Sequence, residues 1–169
     1  MNLSLTGFSG SGKTTVSRLL AEKLGKKLIS TDEEFVKITK LGKDRFVKKH
    51  GIGKFLQREA DIIESISDLD ECIFDTNSEI VLRNENIINL KKNGLVILLT
   101  ADTKTILVRL NRERQKSGHK GSFTDNKKTF FDEHFEKYKK AADYTIDTSN
   151  LSPEEICELI IYYLQMELQ

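Results

Sequence analysis

The segment "GFSGSGKTTV" at residues 7–16 has the residue types and the spacing of a phosphate-binding loop. Gly7 is followed by four residues and then by Gly12, Lys13 and Thr14. The segment follows an apolar run and opens a stretch with helical spacing, which is the context that this pattern requires. We therefore expect it to bind the polyphosphate of a nucleotide, rather than to form a glycine-rich turn that binds nothing.

Each residue type in this segment has a physical reason. Gly7 turns the chain out of the strand, while Gly10 and Gly12 let backbone amides converge on phosphate oxygens that any side chain would keep away. The helix that begins near Lys13 adds unpaired N–H groups and a positive dipole end. We expect Lys13 to neutralise the outer phosphates and the Thr14 hydroxyl to ligate Mg²⁺.

Two aspartates follow predicted strands and are further candidates. Asp32, in "ISTDEEF", lies at the edge of the predicted sheet where open α/β proteins bind their ligands. We expect it to orient an acceptor hydroxyl and to take its proton; capping a helix that starts at Glu33 is the alternative, and the two roles can coexist. Asp75 ends the run "CIFDT" and is expected to help hold Mg²⁺, with an ordinary turn as the alternative.

A basic segment, "RLNRERQKSGHKGSF" at residues 109–123, joins two predicted helices and contains Gly118 and Gly121. A mobile basic loop is what phosphoryl transfer needs in a lid, because the lid neutralises charge and excludes water once both substrates are bound. A solvated turn with ordinary surface charge is the alternative.

Short apolar runs alternate with longer amphipathic stretches, which predicts parallel strands joined by helices. The predicted strands are residues 3–5, 27–30, 72–74, 95–99 and 144–146. The predicted helices are residues 13–24, 32–40, 55–66, 85–92, 103–114, 127–142 and 153 to about 168, the last one capped by Ser152 with Pro153 and Glu155. The run "LVILL" is apolar throughout, so we place it in the centre of the sheet. The fold class is α/β, with three α/β/α layers around a central five-stranded parallel sheet.

The composition narrows the partners of the chain. Its 169 residues predict a single domain, and 27 Lys and Arg against 26 Asp and Glu give no basic field for nucleic acid. We find neither a leader pattern nor a run near the roughly 18 apolar residues of a membrane span. We therefore expect a cytoplasmic chain with a small-molecule partner and no membrane contact. Cys72 and Cys157 are expected to be buried free thiols, and we favour a monomer.

With these residues in hand, the chain resembles the shikimate kinase family, whose members are small single-domain proteins of the nucleoside-monophosphate-kinase-like group. The similarity spans nearly the whole chain. It is carried by "GFSGSGKTTVSRLLAEKLG", the aspartate after the second strand, "FLQRE", "LVRLNRERQK" and "YKKAADYTIDT".

The resemblance implies a P-loop kinase fold and transfer of the γ-phosphate of ATP to a hydroxyl of a small molecule. It implies one domain over residues 1–169, with a lid at about 112–124 and an acceptor-binding region at about 32–66. The implied catalytic residues are Lys13, Asp32 and Lys116. The implied ATP-binding residues are Gly7, Gly10, Ser11, Gly12, Lys13, Thr14, Thr15 and Arg109, with Arg109 on the adenine face. Acceptor binding is implied for Asp32, Asn77 and Ser78, and Mg²⁺ binding for Thr14 and Asp75, with Ser30 as the alternative to Asp75.

The chain departs from the family pattern where shikimate would be held. Leu56 stands in place of the carboxylate-binding arginine of F-R-x-x-E, and Arg58 lies about 200° away around a helix. Asn77, Ser78 and Glu79 replace three consecutive glycines, and Glu79 would repel an acid. Other departures are Lys116-Ser117 for Arg-Pro, Ser30 for one of two aspartates, and the lack of an arginine between Glu133 and Lys140.

These departures leave three interpretations. We expect a kinase whose small hydroxylated acceptor differs from shikimate. An authentic shikimate kinase with an altered acceptor site, and a regulatory nucleotide-binding protein that has lost phosphoryl transfer, are the alternatives.

Overall fold

The computed structural model describes residues 1–117 and 125–169, and its centre is a five-stranded parallel sheet. The strands are β1 (Asn2–Gly7), β2 (Lys27–Ser30), β3 (Cys72–Asp75), β4 (Gly94–Thr100) and β5 (Tyr144–Asp147). Their order across the sheet is β2-β3-β1-β4-β5, and every neighbouring pair is parallel. The predicted fold class is confirmed, because each predicted run forms a strand.

Eight α-helices and one short 3₁₀ helix connect these strands within the described residues. They are α1 (Lys13–Leu24), α2 (Thr31–Thr39), α3 (Lys43–His50), α4 (Ile52–Ser67), α5 (Asn84–Lys91), α6 (Thr103–Ser117), α7 (Asp125–Ala141) and α8 (Pro153–Glu167), with the 3₁₀ helix at Ser78–Leu82. Residues 118–124 of the predicted lid lie outside the described residues.

Two apolar clusters cover opposite faces of the sheet and make the three layers. One face contributes alternate strand residues such as Leu3 and Ile97, which pack on helices α1 and α8. The other face contributes residues such as Phe74 and Leu98, which pack against α4, α5 and α7. Because both faces are covered, β3 and β4 are apolar at nearly every position, while the central strand β1 alternates apolar residues with buried polar ones.

The local signals for helix ends are confirmed at the last helix. The Ser152 hydroxyl accepts a hydrogen bond from the Glu155 N–H, and the Glu155 carboxylate accepts one from the Ser152 N–H, with Pro153 in the first turn. The run "LVILL" lies in β4 between β1 and β5, so it is an interior strand, but β1 and not β4 is central. Both positions are buried on two faces, yet the central strand β1 carries polar residues at alternate positions, so an apolar run does not identify the central strand.

Helix α3 is absent from the sequence prediction. Only one of its eight residues, Phe46, is fully buried, so it lacks the apolar stripe from which a helix is recognised. Phe46 packs with Phe35 of α2 and with Phe55 and Ile62 of α4, in a third apolar cluster away from the sheet. This cluster holds together the helices of the α2–α4 segment, which includes the predicted acceptor region.

Three further observations concern the surface and the core. Residues 48–54, "KKHGIGK", are all exposed. Cys72 and Cys157 are buried free cysteines. Across residues 1–117 and 125–169, we find no helix that combines the length and the apolar character needed to cross a membrane.

Two glycines make a matched test of packing at the sheet. A Cβ atom on Gly94, at the start of β4, would lie 2.6 Å from the carbonyl oxygen of Asn2, whereas one on Gly53 in α4 would meet nothing within 4 Å. We expect Gly94→Ala to lower the free energy of unfolding by about 1–3 kcal/mol. Gly53→Ala should raise it by about 0.5 kcal/mol, because alanine favours the helix. Urea denaturation measures both; equal effects of the two substitutions would contradict the close strand packing.

Candidate active site

A cleft of about 990 Å³ lies at the carboxyl ends of β1, β2 and β3. The sheet order explains its position, because parallel neighbours end at the same edge. The residues from the predicted site that line it are Gly10, Gly12, Lys13, Thr14, Thr15, Asp32, Asp75, Asn77 and Ser78. Gly7, Ser11, Arg109 and Lys116 are not among its lining residues.

The loop between β1 and α1 owes its shape to backbone conformations that side chains disfavour. Gly12 has φ 97° at the N-terminus of α1, and Gly7 has φ 140° at the end of β1. A Cβ atom on Gly7 would lie 2.2 Å from the carbonyl oxygen of Leu99 on the neighbouring strand. Glycine is therefore required at Gly7 on two grounds, the positive φ and the space.

Lys13 lies folded over this loop. Its Nζ donates to the carbonyl oxygens of Gly7 at 2.8 Å and of Phe8 at 3.1 Å. Burial lowers the pKa of the ammonium, while the carboxylates of Asp75 and Asp32 act in the opposite direction. Because an ammonium has three N–H donors, one remains for a ligand in the cleft.

Thr14 and Asp75 meet at the N-terminal end of α1. The Thr14 hydroxyl donates to Asp75 Oδ2 at 2.8 Å. Burial raises the pKa of the Asp75 carboxyl, while the Thr14 hydrogen bond and the nearby Lys13 lower it. A hydroxyl beside a carboxylate is a pair of hard oxygen donors, the ligand type that Mg²⁺ takes together with phosphate oxygens. In the described parts of the chain, no group of three or more His, Cys, Asp or Glu side chains is arranged to hold a metal without such phosphates.

Asp32 lies in the first turn of α2, exposed to the cleft. Its Oδ1 is 3.4 Å from Nδ2 of Asn77, which follows β3. The alternative role of Asp32 as helix cap is wrong, because α2 starts at Thr31 and the Ser30 hydroxyl accepts the hydrogen bond from the Glu33 N–H. The Ser30 hydroxyl therefore caps α2, and the Asp32 carboxylate is not used as a helix cap.

Arg109 reaches the phosphate loop from α6. Its guanidinium donates to the carbonyl oxygen of Gly10 at 3.2 Å, and to the hydroxyl and carbonyl oxygens of Thr148 at 2.9 Å each. The Thr148 hydroxyl has one hydrogen, which it shares between the carbonyl oxygens of Ser11 at 3.1 Å and of Thr100 at 2.9 Å. Thr148 thus supports the loop from the end of β5, a role that its place in "YTIDT" did not reveal. The adenine contact of Arg109 stays a prediction.

Lys116 lies exposed in the last turn of α6. The described residues do not bring it into the cleft, and the segment that follows it at 118–124 lies outside them. Its catalytic role stays a prediction.

Lys43, on the unpredicted helix α3, lines the cleft together with Asn77, Ser78 and Glu79, and these residues form one wall of it. Its ammonium forms an ion pair with Glu79 and lies 5.4 Å from the centre of the Phe55 ring. Glu79 is fixed further, since its Oε2 accepts a hydrogen bond from Ser78 and its N–H donates to Asn77 Oδ1 at 3.0 Å. The Ser78 carbonyl accepts a hydrogen bond from the buried Tyr138 of α7.

Glu59 lies behind this wall of the cleft and is only 2% exposed. Within the described residues, neither of its carboxylate oxygens has a hydrogen-bond partner of good geometry. Burial raises the pKa of its carboxyl to about 7, and the negative charges of Glu79 and Asp32 act in the same direction, while Asn77 and Lys43 oppose it. Glu59 was part of the quoted "FLQRE" but carried no predicted role.

Leu56 and Arg58 point to different sides of α4, as their predicted separation of about 200° around the helix requires. Leu56 packs on the apolar cluster of Phe35, Phe46, Phe55 and Ile62. Arg58 is half-exposed, lies 3.8 Å from Asp61, and lines a separate hollow on the outer face. Arg58 therefore does not take the place of an arginine at position 56.

Comparisons with known proteins agree with this geometry. The family model described as shikimate kinase matches residues 9–165. The chain is 40% identical over 161 residues to a shikimate kinase of Caldicellulosiruptor saccharolyticus, covering 95% of this chain and 93% of the relative. It is 34% identical to a shikimate kinase of Thermodesulfovibrio yellowstonii, covering 95% of this chain and 92% of the relative.

Solved structures share the fold. The chain superimposes on the shikimate kinase of Acinetobacter baumannii in complex with shikimate with a TM-score of 0.85, at 24% identity, covering 98% of this chain and 93% of the other. For the shikimate kinase of Aquifex aeolicus the TM-score is 0.81 at 25% identity, covering 99% and 98% of the two chains.

The buried Glu59 gives a prediction for pH dependence. A carboxyl whose pKa is raised to about 7 binds its proton more tightly in the folded protein than in the unfolded chain. Its contribution to stability is therefore present at low pH and is lost as the pH rises through about 7. Between pH 5 and pH 8 we expect the free energy of unfolding of the wild type to fall by about 2 kcal/mol relative to Glu59→Gln.

Glu64→Gln is the control, because Glu64 is an exposed carboxylate on the same helix. It should keep the pH dependence of the wild type in urea denaturation. If Glu59→Gln also keeps it, the Glu59 carboxyl does not titrate as its burial requires.

Proposed function

The chain belongs to the shikimate kinase family and is an ATP-dependent phosphotransferase with a hydroxyl acceptor, and we propose that Lys13, Asp32, Thr14 and Asp75 carry this chemistry in the cleft. The observation that carries the proposal is their convergence. Lys13, the Thr14–Asp75 pair and Asp32 come from three separate segments and line one cavity. Phosphoryl transfer needs such convergence, because the enzyme contributes mainly positioning and charge neutralisation.

The phosphate loop would bind the polyphosphate of ATP through backbone N–H groups at the start of α1. The Lys13 ammonium, with one N–H donor remaining, would contact the phosphoryl group in transfer. Its charge compensates the negative charge that spreads over the phosphoryl oxygens in the transition state. Ser11 and Thr15 would contact the polyphosphate as part of the same loop.

Mg²⁺ would be held by the Thr14 hydroxyl, with Asp75 as the neighbouring carboxylate. Their 2.8 Å hydrogen bond supports Asp75 over Ser30 for this role, since the Ser30 hydroxyl caps α2. When bound, the ion supplies charge neutralisation on the β- and γ-phosphate oxygens.

Asp32 would orient the acceptor. Its carboxylate accepts the acceptor hydroxyl proton as the hydroxyl oxygen forms a bond to the γ-phosphorus. The bond between this phosphorus and the β–γ bridging oxygen breaks, and ADP leaves with the electron pair. Asn77, 3.4 Å from Asp32, would hold the carboxylate and contribute with Ser78 to acceptor binding.

The acceptor itself would be a small hydroxylated compound similar to shikimate in size but bound differently. Leu56 and the outward Arg58 leave the cleft without the arginine of the family pattern at this helix.

The proposal also includes one domain over residues 1–169, acceptor binding by about residues 32–66, a monomeric state without nucleic-acid partners, and a cytoplasmic location. The two free thiols, Cys72 and Cys157, suit a reducing compartment.

Two substitutions test the proposed catalytic roles. In Lys13→Ala the transferring phosphoryl group loses its cation, and we expect kcat to fall by about 100-fold or more. In Asp32→Asn the acceptor hydroxyl loses its base, and we expect a fall of about 100- to 10,000-fold. The measurement is ADP formation from MgATP with shikimate, and with a panel of polyols, sugars, nucleosides and hydroxy acids.

Lys23→Ala and Glu33→Gln are matched controls, because both residues are exposed and lie on α1 and α2, the helices that carry Lys13 and Asp32. Both variants should keep wild-type rates. ATP binding without stimulation by any acceptor would overturn the proposal and favour the regulatory alternative. Stimulation by shikimate itself, abolished in Lys13→Ala and Asp32→Asn, would instead favour an authentic shikimate kinase.

The proposed Mg²⁺ ligands give a separate prediction. Thr14→Val and Asp75→Asn should each raise the Mg²⁺ concentration needed for half-maximal activity by about 10-fold, because an oxygen donor is lost or loses its charge. Thr14→Ser retains the hydroxyl and should need no more Mg²⁺ than the wild type. Titration of Mg²⁺ at saturating ATP checks this; an unchanged requirement in Thr14→Val would remove Thr14 from the metal site.

A further inference from the structure

We propose that the acceptor is an uncharged polyol, and that the Lys43–Glu79 ion pair excludes acceptors that carry a carboxylate. This inference rests on the proposed function, because it names the charge class of the acceptor in the same cleft. Its starting point is the wall of the cleft that is formed by Lys43, Asn77, Ser78 and Glu79.

The ammonium of Lys43 is already shared between carboxylates. Its direct partner is Glu79, whose side chain is only 12% exposed, and the charge of Lys43 also acts on the buried Glu59 behind it. Glu79 and Asp32 both line the cleft, and the Lys13 ammonium on which their charges also act is held by the carbonyl oxygens of its own loop. A carboxylate on the acceptor would have to displace Glu79 from Lys43 and leave it with little access to water, which is costly.

No other cation in the described part of this wall changes the balance. Arg58 lies in the outer hollow with Asp61, and Leu56 is apolar. Arg45 lines the rim of the cleft but is exposed and is accompanied there by the equally exposed Asp44. Arg45 and Asp44 carry opposite formal charges, and water screens both of them because they are exposed.

The same wall suits hydroxyl groups. Lys43 and Asn77 present N–H donors, while Glu79 and Asp32 present carboxylate acceptors, and each hydroxyl of a polyol can both donate and accept. Phe35 and Val36 add an apolar surface to the cleft for the carbon face of a ring. An uncharged polyol satisfies these groups without separating the ion pair.

The test uses three compounds that share one ring and its hydroxyls. These are shikimate, its primary alcohol with the carboxylate reduced to CH₂OH, and the corresponding aminomethyl compound. Equilibrium binding to the full chain, measured by calorimetry in the presence of MgADP, tests the inference, while ADP formation from MgATP tests the proposed function separately. We expect the alcohol to bind at least 10-fold more tightly than the acid and more tightly than the amine.

Variants locate the origin of the selectivity. Glu79→Gln frees the Lys43 ammonium and should shift the ratio of acid to alcohol affinity at least 10-fold toward the acid. Glu113→Gln is the control, because Glu113 lines the same cleft and acts on Lys13 but has no contact with the Lys43–Glu79 pair among the described hydrogen bonds and ion pairs, and it should leave the ratio unchanged. Thermal unfolding of each variant verifies that it is folded, and the wild-type comparison does not depend on any variant.

Each outcome decides the inference. Tightest binding by the alcohol, with a shift in Glu79→Gln, supports it even if no phosphoryl transfer is seen. Tightest binding by the acid or the amine overturns it, as does the lack of measurable binding by the alcohol. Lys43→Gln removes the charge of Lys43. If ADP formation with the acid proceeds at the same rate in this variant as in the wild type, the proposed role of the ion pair is also overturned.

Discussion

The turn from β1 into α1 is the constraint on which the rest of the site depends. Gly7 leaves the sheet with a positive φ, beside the Leu99 carbonyl and with no room for a side chain, and Gly12 opens α1 in the left-handed region. This brings Lys13 and Thr14 back over the end of the sheet within six residues. Asp75 can then meet Thr14 only because β3 lies directly beside β1. The strand order and the glycines thus assemble the nucleotide half of the cleft together.

The proposed acceptor half is held together by different interactions. It rests on α2, α3 and α4, which an aromatic cluster outside the sheet holds together. Its polar wall comes from a 3₁₀ helix whose first residues are tied by Asn77, by the Lys43–Glu79 pair and by the buried Tyr138. None of these side chains belongs to the parallel strands or to the phosphate loop, so this wall of the cleft can differ while the strand order and the loop stay the same.

The sequence predicted some features of each half and missed others. The difference follows from how far apart in the sequence the interacting residues lie. The strands, α1 and the cap at Ser152 depend on nearest neighbours along the chain, so periodicity and spacing were enough. The helical offset of Arg58 was predictable for the same reason. The pairing of Lys43 with Glu79 joins residues 36 positions apart across an unpredicted helix, and Thr148 reaches Ser11 across 137 positions. Such contacts depend on tertiary packing, and a single sequence has no local signal for them.

The hydrogen bonds of Arg109 and Thr148 to the loop have a consequence for the entropy of nucleotide binding. They hold the carbonyl groups of Gly10 and Ser11 from one side. In a trans peptide the N–H group points opposite to the carbonyl, so the Gly12 N–H is directed away from Thr148. An anchored loop has few conformations to lose when an anion arrives, and the free energy of its contacts goes into affinity rather than into ordering the chain.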